Sequence, residues 1–276
     1  MVRAIETMSD FAKIIHKLLK SDRDVTVGVS GMTGEGKSTF LTLLQKKYAE
    51  ISGTKWDFSH MTWSRAELMK WIDGDENGEG KMPEYSAILV DELFTMFYRR
   101  TWYESDQIDT IATFNMCRDR HLFIGGNVPD FWDLDNAFVS RLRFFVYIPY
   151  RGVAWVFEQE NNPFCKDKWN RSENQKLIRR GKGRPYKCKN FICELHYPDW
   201  NPVEKKEYYS IRNVKRVDAI KENKPEKKEK YKDIKDQRNA AIALCFKLNS
   251  KLTNKAAAEM LGLSMECVRL ARNENQ

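Results

Sequence analysis

The stretch GMTGEGKSTF at residues 31–40 follows the short apolar run DVTVGVS at residues 24–30. It fits the pattern G-x-x-x-x-G-K-[S/T] at Gly31, Gly36, Lys37 and Ser38. Few chain paths accommodate that order. Glycines let the backbone curl until several N–H groups face one anion. Gly31, Met32, Thr33, Gly34, Glu35 and Gly36 are therefore the expected cradle for a polyphosphate. Lys37 is placed to reach the β- and γ-phosphates and the Ser38 hydroxyl to ligate Mg²⁺, and Thr39 is a further candidate to bind the nucleotide. A helix opening at Ser38 directs its positive end at the phosphates. Behind it, Phe40, Leu43, Leu44, Tyr48 and Ile51 recur near helical spacing, and the run before it is strand-like. The expected ligands are ATP and Mg²⁺.

The flanking pattern extends this reading into a fold class. Strand-like runs at 24–30, 86–91, 121–126 and 143–149 alternate with helical patterns at 9–20, 38–51, 64–73 and 105–118. Such alternation predicts an α/β domain around a mainly parallel sheet. Phe11, Ile14, Ile15, Leu18 and Leu19 make the opening segment amphipathic. It lacks the apolar core and cleavage site of a secretory leader, so a packed helix is expected. Residues 1–213 are expected to form this domain, with further strands in VAWVFEQ (153–159) and FICELHY (191–197). Residues 214–238 are dense in charge and predict a mobile, partly helical tether, with a small helical domain at 239–276. No run of about 18 apolar residues is present, which excludes a membrane-spanning helix. Six scattered cysteines beside a nucleotide loop predict free thiols and a cytoplasmic setting.

The run SAILVDEL ends in two carboxylates. Asp91 is the candidate for the Mg²⁺ shell with Ser38, and Glu92 the candidate base that polarises an attacking water. The second carboxylate favours hydrolysis over transfer to another acceptor. Asn127 follows the next strand-like run; it reads either as a sensor of the γ-phosphate and its water or as an ordinary turn residue. Arg99, Arg100, Arg118, Arg120, Arg141 and Arg143 are candidates for the cation that stabilises developing charge, and the sequence does not choose among them.

Taken in order, GMTGEGKS, AILVDE, FNMCRDRHLFIGGNVPDFWDLD and RFFVYI resemble the P-loop ATPases of the FtsK/HerA-like and Zot-like group found on viruses and mobile elements. The resemblance covers roughly residues 24–165, including Pro129, Leu134 and Asp135. Asn127 stands where that group often carries glutamine. The resemblance implies a RecA-like (ASCE) core, self-association into a ring, and translocation of DNA during packaging or transfer. Two rival readings share the phosphate motifs. One is a helper ATPase for replication or transposition, acting on a viral or replication protein. The other is a non-motor DNA-binding protein that uses ATP only to dimerise.

The formal net charge is +8, and residues 164–190 alone hold ten Lys or Arg against two Asp or Glu. The rest of the chain therefore sums to about zero. Lys176, Arg179, Arg180, Lys182 and Arg184, interleaved with Trp169 and Tyr186, are candidate contacts to duplex DNA. Cys188, Cys193 and His196, with Cys165, have the donor types of a zinc site, but the same residues read as a strand and their spacing fits no established zinc pattern. The tail LTNKAAAEMLGLSMECVRLARN resembles a helix-turn-helix. Thr253 and Ser264 are the expected caps, Gly262 the turn, and Ala257, Leu261 and Val268 the inward face. Arg269 and Arg272 are the candidates to meet DNA, and a protein partner is the alternative. Reversing Lys176, Arg179, Arg180 and Lys182 to Glu should flatten the plot of log DNA affinity against log salt by about 0.9 per lost phosphate contact. An unaltered slope would leave this segment a solvated face.

Overall fold

The computed structural model describes residues 5–23, 25–75, 77–93, 117–128, 130–131, 134–160, 167–179, 187–222, 227–249 and 252–274. They fall into two compact units, divided between Ile220 and Lys221.

The first unit is built on a seven-stranded sheet. Its strands are β1 (Val25–Gly31), β2 (Met61–Thr62), β3 (Ala87–Val90), β4 (Phe123–Asn127), β5 (Leu142–Tyr150), β6 (Val153–Glu158) and β7 (Phe191–His196), in the spatial order β2-β3-β4-β1-β5-β6-β7. The first five are parallel, and β6 and β7 extend one edge antiparallel. This is a mainly parallel α/β sheet of RecA-like order, with β4 inserted between the strand that feeds the phosphate loop and the strand that ends in the carboxylates.

Alternation along the strands divides the core. Val25, Val27, Val29, Leu89, Phe123, Phe144 and Val146 face one side, packed against Phe11, Ile15 and Leu19 of α1 (Met8–Lys20) and Phe40, Leu41, Leu44 and Tyr48 of α2 (Lys37–Ser52). Ile88, Val90, Ile124 and Leu142 face the other, against Leu68 and Ile72 of α3 (Arg65–Asp73) and Phe138 of α4 (Asn136–Val139). Buried strands sandwiched by helices explain why the runs are apolar on both faces. Helix α1 opens on Thr7, whose hydroxyl accepts from the Asp10 N–H, and α3 opens on Ser64, which accepts from Glu67. Gly125 and Gly126 of β4 let α2 and Leu93 press onto the sheet: a Cβ would stand 2.5 Å from Leu41 Cδ1 at Gly125 and 2.8 Å from Leu93 Cδ2 at Gly126.

The structure adds elements that the sequence pattern does not mark. Trp169 precedes α5 (Arg171–Arg179), and a long α6 spans Pro202–Glu222. In the second unit α7 (Lys227–Leu248), α8 (Asn254–Leu261) and α9 (Met265–Glu274) enclose a small core of Ile242, Ala257, Ala258, Val268 and Ala271. Thr253 accepts from Ala256 N, Gly262 ends α8 at φ 65°, and Ser264 accepts from Cys267 N. The charged stretch expected as a tether lies in α6 and α7 wherever it is described, and its second residue, Lys215, is held by Ser59, Met61 and Glu67 of the first unit. The helical pattern expected at 105–118 and the residues Arg99, Arg100 and Pro129 lie outside the described residues, except for a short 3-10 turn at Cys117–Arg120.

Gly126→Ala should lower stability by about 1–3 kcal/mol, the usual cost of forcing volume into a packed interior. Chemical denaturation checks this, and an unchanged midpoint would show that Leu93 yields without cost.

Candidate nucleotide and magnesium site

The phosphate loop joins β1 to α2 through three glycines with positive φ: Gly31 at 150°, Gly34 at 91° and Gly36 at 91°. A side chain at Gly31 would meet the Ile148 carbonyl at 2.5 Å. Gly36 is the N-cap of α2 and offers no side-chain acceptor, so the first N–H groups of the helix face the loop. The Lys37 ammonium donates to the Gly31 and Met32 carbonyls at 2.7 and 3.0 Å. Burial pushes its pKa below lysine's ordinary value, while Asp91 and Glu35 pull it back. Met32, Thr33 and Gly34 are exposed and Thr39 is buried. The hairpin of β5 and β6 braces the loop from outside: Arg151 donates to the Gly34 carbonyl at 2.9 Å, and its backbone N–H donates to Glu35 Oε2 at 3.0 Å.

Three sequence-predicted residues from distant parts of the chain converge beside this loop. Ser38 Oγ donates to Asp91 Oδ1 at 3.2 Å, and Asn127 Nδ2 donates to Ser38 Oγ at 2.9 Å and to Asp91 Oδ1 at 2.5 Å. Asp91 sits at the end of β3 and is 4 % exposed; its backbone N–H donates to the Thr62 carbonyl. Asn127 ends β4, the inserted strand, and is equally buried. Its Oδ1 is buried without a hydrogen-bond partner among the described residues. A hydroxyl and a carboxylate are hard-oxygen donors that suit Mg²⁺, with the Asn127 amide orienting both from the next layer, so the residues fit the expected ion. Glu92 follows Asp91 with its backbone at φ 66°, a conformation rare outside glycine, and is about one-third exposed.

Helix α6 supplies a fourth member that sequence reasoning missed. Tyr208 is 3 % exposed; its hydroxyl donates to Asp91 Oδ2 at 2.7 Å and lies 3.1 Å from Ser38 Oγ. Desolvation first, and then the Asp91 charge, push this phenol well above its ordinary pKa, so it stays a donor. Further along the same helix, Arg212 and Arg216 bring Nη2 to 3.7 and 3.5 Å from Glu92 Oε1. The available signal was the spacing of Tyr208, Arg212 and Arg216, which repeats every four residues and so aligns one helix face.

Other candidates take different places. Arg120 donates to the carbonyls of Ile72 and Met82, and Arg143 pairs with Glu158, so both brace the fold. Trp169 is a core residue whose Nε1 donates to the Val139 carbonyl and whose ring meets Phe131 edge-on, which removes it as a stacking platform for bases. Lys176 is exposed on α5. The Arg179 side chain and all of Arg180, Lys182 and Arg184 lie outside the described residues. In the second unit Arg269 pairs with Glu266, while Arg272 donates to Asn254 Oδ1 at 3.0 Å and lies over the Phe246 ring. Cys188 and Cys193 are buried thiols, the latter pushed up to about 12 by desolvation, and His196 on the same strand is exposed beside Glu194. Among the described residues no group of three His, Cys, Asp or Glu side chains is placed to hold a metal, and no helix is long and apolar enough to cross a membrane.

No family model matches the sequence, and no curated protein matches it. Part of the chain is similar to solved structures. One is the genome packaging NTPase of Sulfolobus turreted icosahedral virus 2 in complex with ATP-gammaS, at 12% identity and a TM-score of 0.34, over 49% of this chain and 92% of that one. Others are the FIGL-1 AAA domain, at 17% identity and a TM-score of 0.33 over 50% and 51%, and C. elegans PCH-2, at 14% and 0.36 over 63% and 47%. The chain spans about half the length of the last two.

Asn127→Leu should weaken the Mg²⁺-dependent part of ATP-analogue binding by about 10- to 100-fold, the usual cost of losing an outer-shell partner. The Mg²⁺-independent part should survive, because Lys37 and the loop remain. Titrations with and without EDTA check this; equal loss of both parts would make Asn127 a packing residue only.

Proposed function

We propose that this chain is an ATP-hydrolysing motor of a virus or mobile element that moves duplex DNA during packaging or transfer, working as a self-associated ring. The observation that carries the ATPase reading is the meeting of Ser38, Asp91 and Asn127 beside the glycine loop, with Glu92 next in sequence. Lys37, now held on two loop carbonyls, is within a side-chain rotation of any anion bound by the loop amides. Ser38 and Asp91 would hold Mg²⁺, which neutralises phosphate charge when bound. Glu92 is the base: its carboxylate accepts the proton of the attacking water as the new P–O bond forms and the bond to the ADP oxygen breaks. Thr62 and Asn127 fix Asp91, which fixes the backbone from which Glu92 projects.

The DNA reading rests on charge placement. Residues 164–190 concentrate the whole net charge of the chain, and Lys176 in that segment is exposed. The second unit, with its three packed helices and the exposed Arg269, suits a further contact to DNA or to a viral or replication protein.

Two variants and one ligand test this function. Lys37→Ala should abolish ATP binding or turnover. Glu92→Gln should keep binding while slowing turnover by about 10²- to 10⁴-fold. Duplex DNA should stimulate turnover in the unmodified chain. Normal turnover in a folded Lys37→Ala protein would sink the ATPase reading; turnover indifferent to DNA would sink the motor reading alone.

A further inference from the structure

Helix α6 crosses the site as a strap. One end is fixed where Lys46 of α2 pairs with Glu204 at 2.5 Å. Near the other, the Lys215 ammonium donates to the Ser59 and Met61 carbonyls and to Glu67 at 2.7–3.1 Å, and it lies over the Trp71 ring. Tyr208 and Arg212 lie between these anchors and Arg216 directly follows the second, and these three side chains touch the proposed hydrolytic residues. The Tyr208 hydroxyl engages both Ser38 Oγ and Asp91 Oδ2, the oxygens assigned above to the metal. Arg212 and Arg216 both face Glu92 Oε1, the carboxylate oxygen needed to accept a proton from water.

We propose that α6 is an in-chain brake on hydrolysis, with Tyr208 holding the metal oxygens and the Arg212–Arg216 pair holding Glu92 away from an attacking water. The inference rests on the ATPase reading and adds regulation to that same site. An oxygen turned toward two guanidiniums is directed by their charge and is not free to orient a water. The held arrangement also carries a cost that favours release: Arg212 Nε is buried without a hydrogen-bond partner among the described residues. That cost disappears if the pair opens to water while the anchors at Glu204 and Lys215 stay in place. These contacts are polar, local and confined to one helix face, so a small movement of α6 suffices.

The test uses the full chain. Arg212→Gln with Arg216→Gln should raise kcat about 3- to 30-fold, the factor that two partly exposed ion pairs can hold in balance, with KM for ATP unchanged. Adding Glu92→Gln should erase the gain, and Arg212→Lys with Arg216→Lys, which keeps the charge, should restore the slow rate. Independently of turnover, Tyr208→Phe should increase the Mg²⁺-dependent gain in affinity for a slowly hydrolysed ATP analogue about tenfold or more, because a competing partner of Ser38 and Asp91 is gone. An unchanged or lower kcat in the folded Gln pair overturns the brake, as does an unchanged or smaller Mg²⁺ gain in Tyr208→Phe. If the Gln pair fails to fold, the Tyr208→Phe titration decides alone. Unmodified protein that neither binds the analogue nor turns over ATP would instead overturn the ATPase reading, and the brake with it.

Discussion

A carboxylate buried to 4 % exposure is the constraint around which the first unit is arranged. Asp91 lies where water cannot solvate it, so its charge has to be met by donors from the protein. It receives them from three places: the Ser38 hydroxyl at the start of α2, the Asn127 amide at the end of β4 and the Tyr208 hydroxyl on α6, while its own backbone N–H donates to the Thr62 carbonyl and fixes the main chain. Each donor is delivered by a different element, and each element must therefore keep its register against the sheet. The strand order follows suit. With β4 between β1 and β3, the glycine loop and the buried carboxylate are separated by one strand width, and Asn127 fills the space between them.

Much of this was legible in the sequence because the deciding signals are local. The glycine pattern at Gly31–Gly36 reports backbone angles directly, and the apolar runs that became β1, β3 and β4 are buried on both faces, so they stand out without any partner being known; β5 buries alternate residues and stands out by its apolar content. The caps of α8 and the turn at Gly262 were readable for the same reason. The antiparallel strands β6 and β7 also carried enough apolar character to be found.

What escaped was non-local. Tyr208 lies 117 positions from Asp91 in a segment rich in Lys and Glu, and its four-residue spacing with Arg212 and Arg216 marks a shared helix face but not the carboxylate that face would meet. Trp169 misled in the opposite sense: set among cations it read as a surface aromatic, yet Phe131, Phe145 and the Val139 carbonyl enclose it. The charged stretch after residue 213 read as a mobile, partly helical tether; its helices are present, and the contacts of Lys215 are what the composition did not show. Lys215 shows why composition is a poor guide there, since a lysine whose three donors all find acceptors can anchor a helix as firmly as an apolar side chain.

The backbone of Glu92 has a consequence for how this site can change. A left-handed conformation disfavours any residue with a Cβ and suits glycine, so the position of the proposed base is one that folding alone would give to another residue. Conformational preference and the proposed chemistry therefore pull in opposite directions at a single codon. A chain relieved of a demand for turnover would drift there toward glycine and keep its fold more easily, so on the proposed reading a carboxylate kept at residue 92 among relatives would mark selection on hydrolysis rather than on architecture.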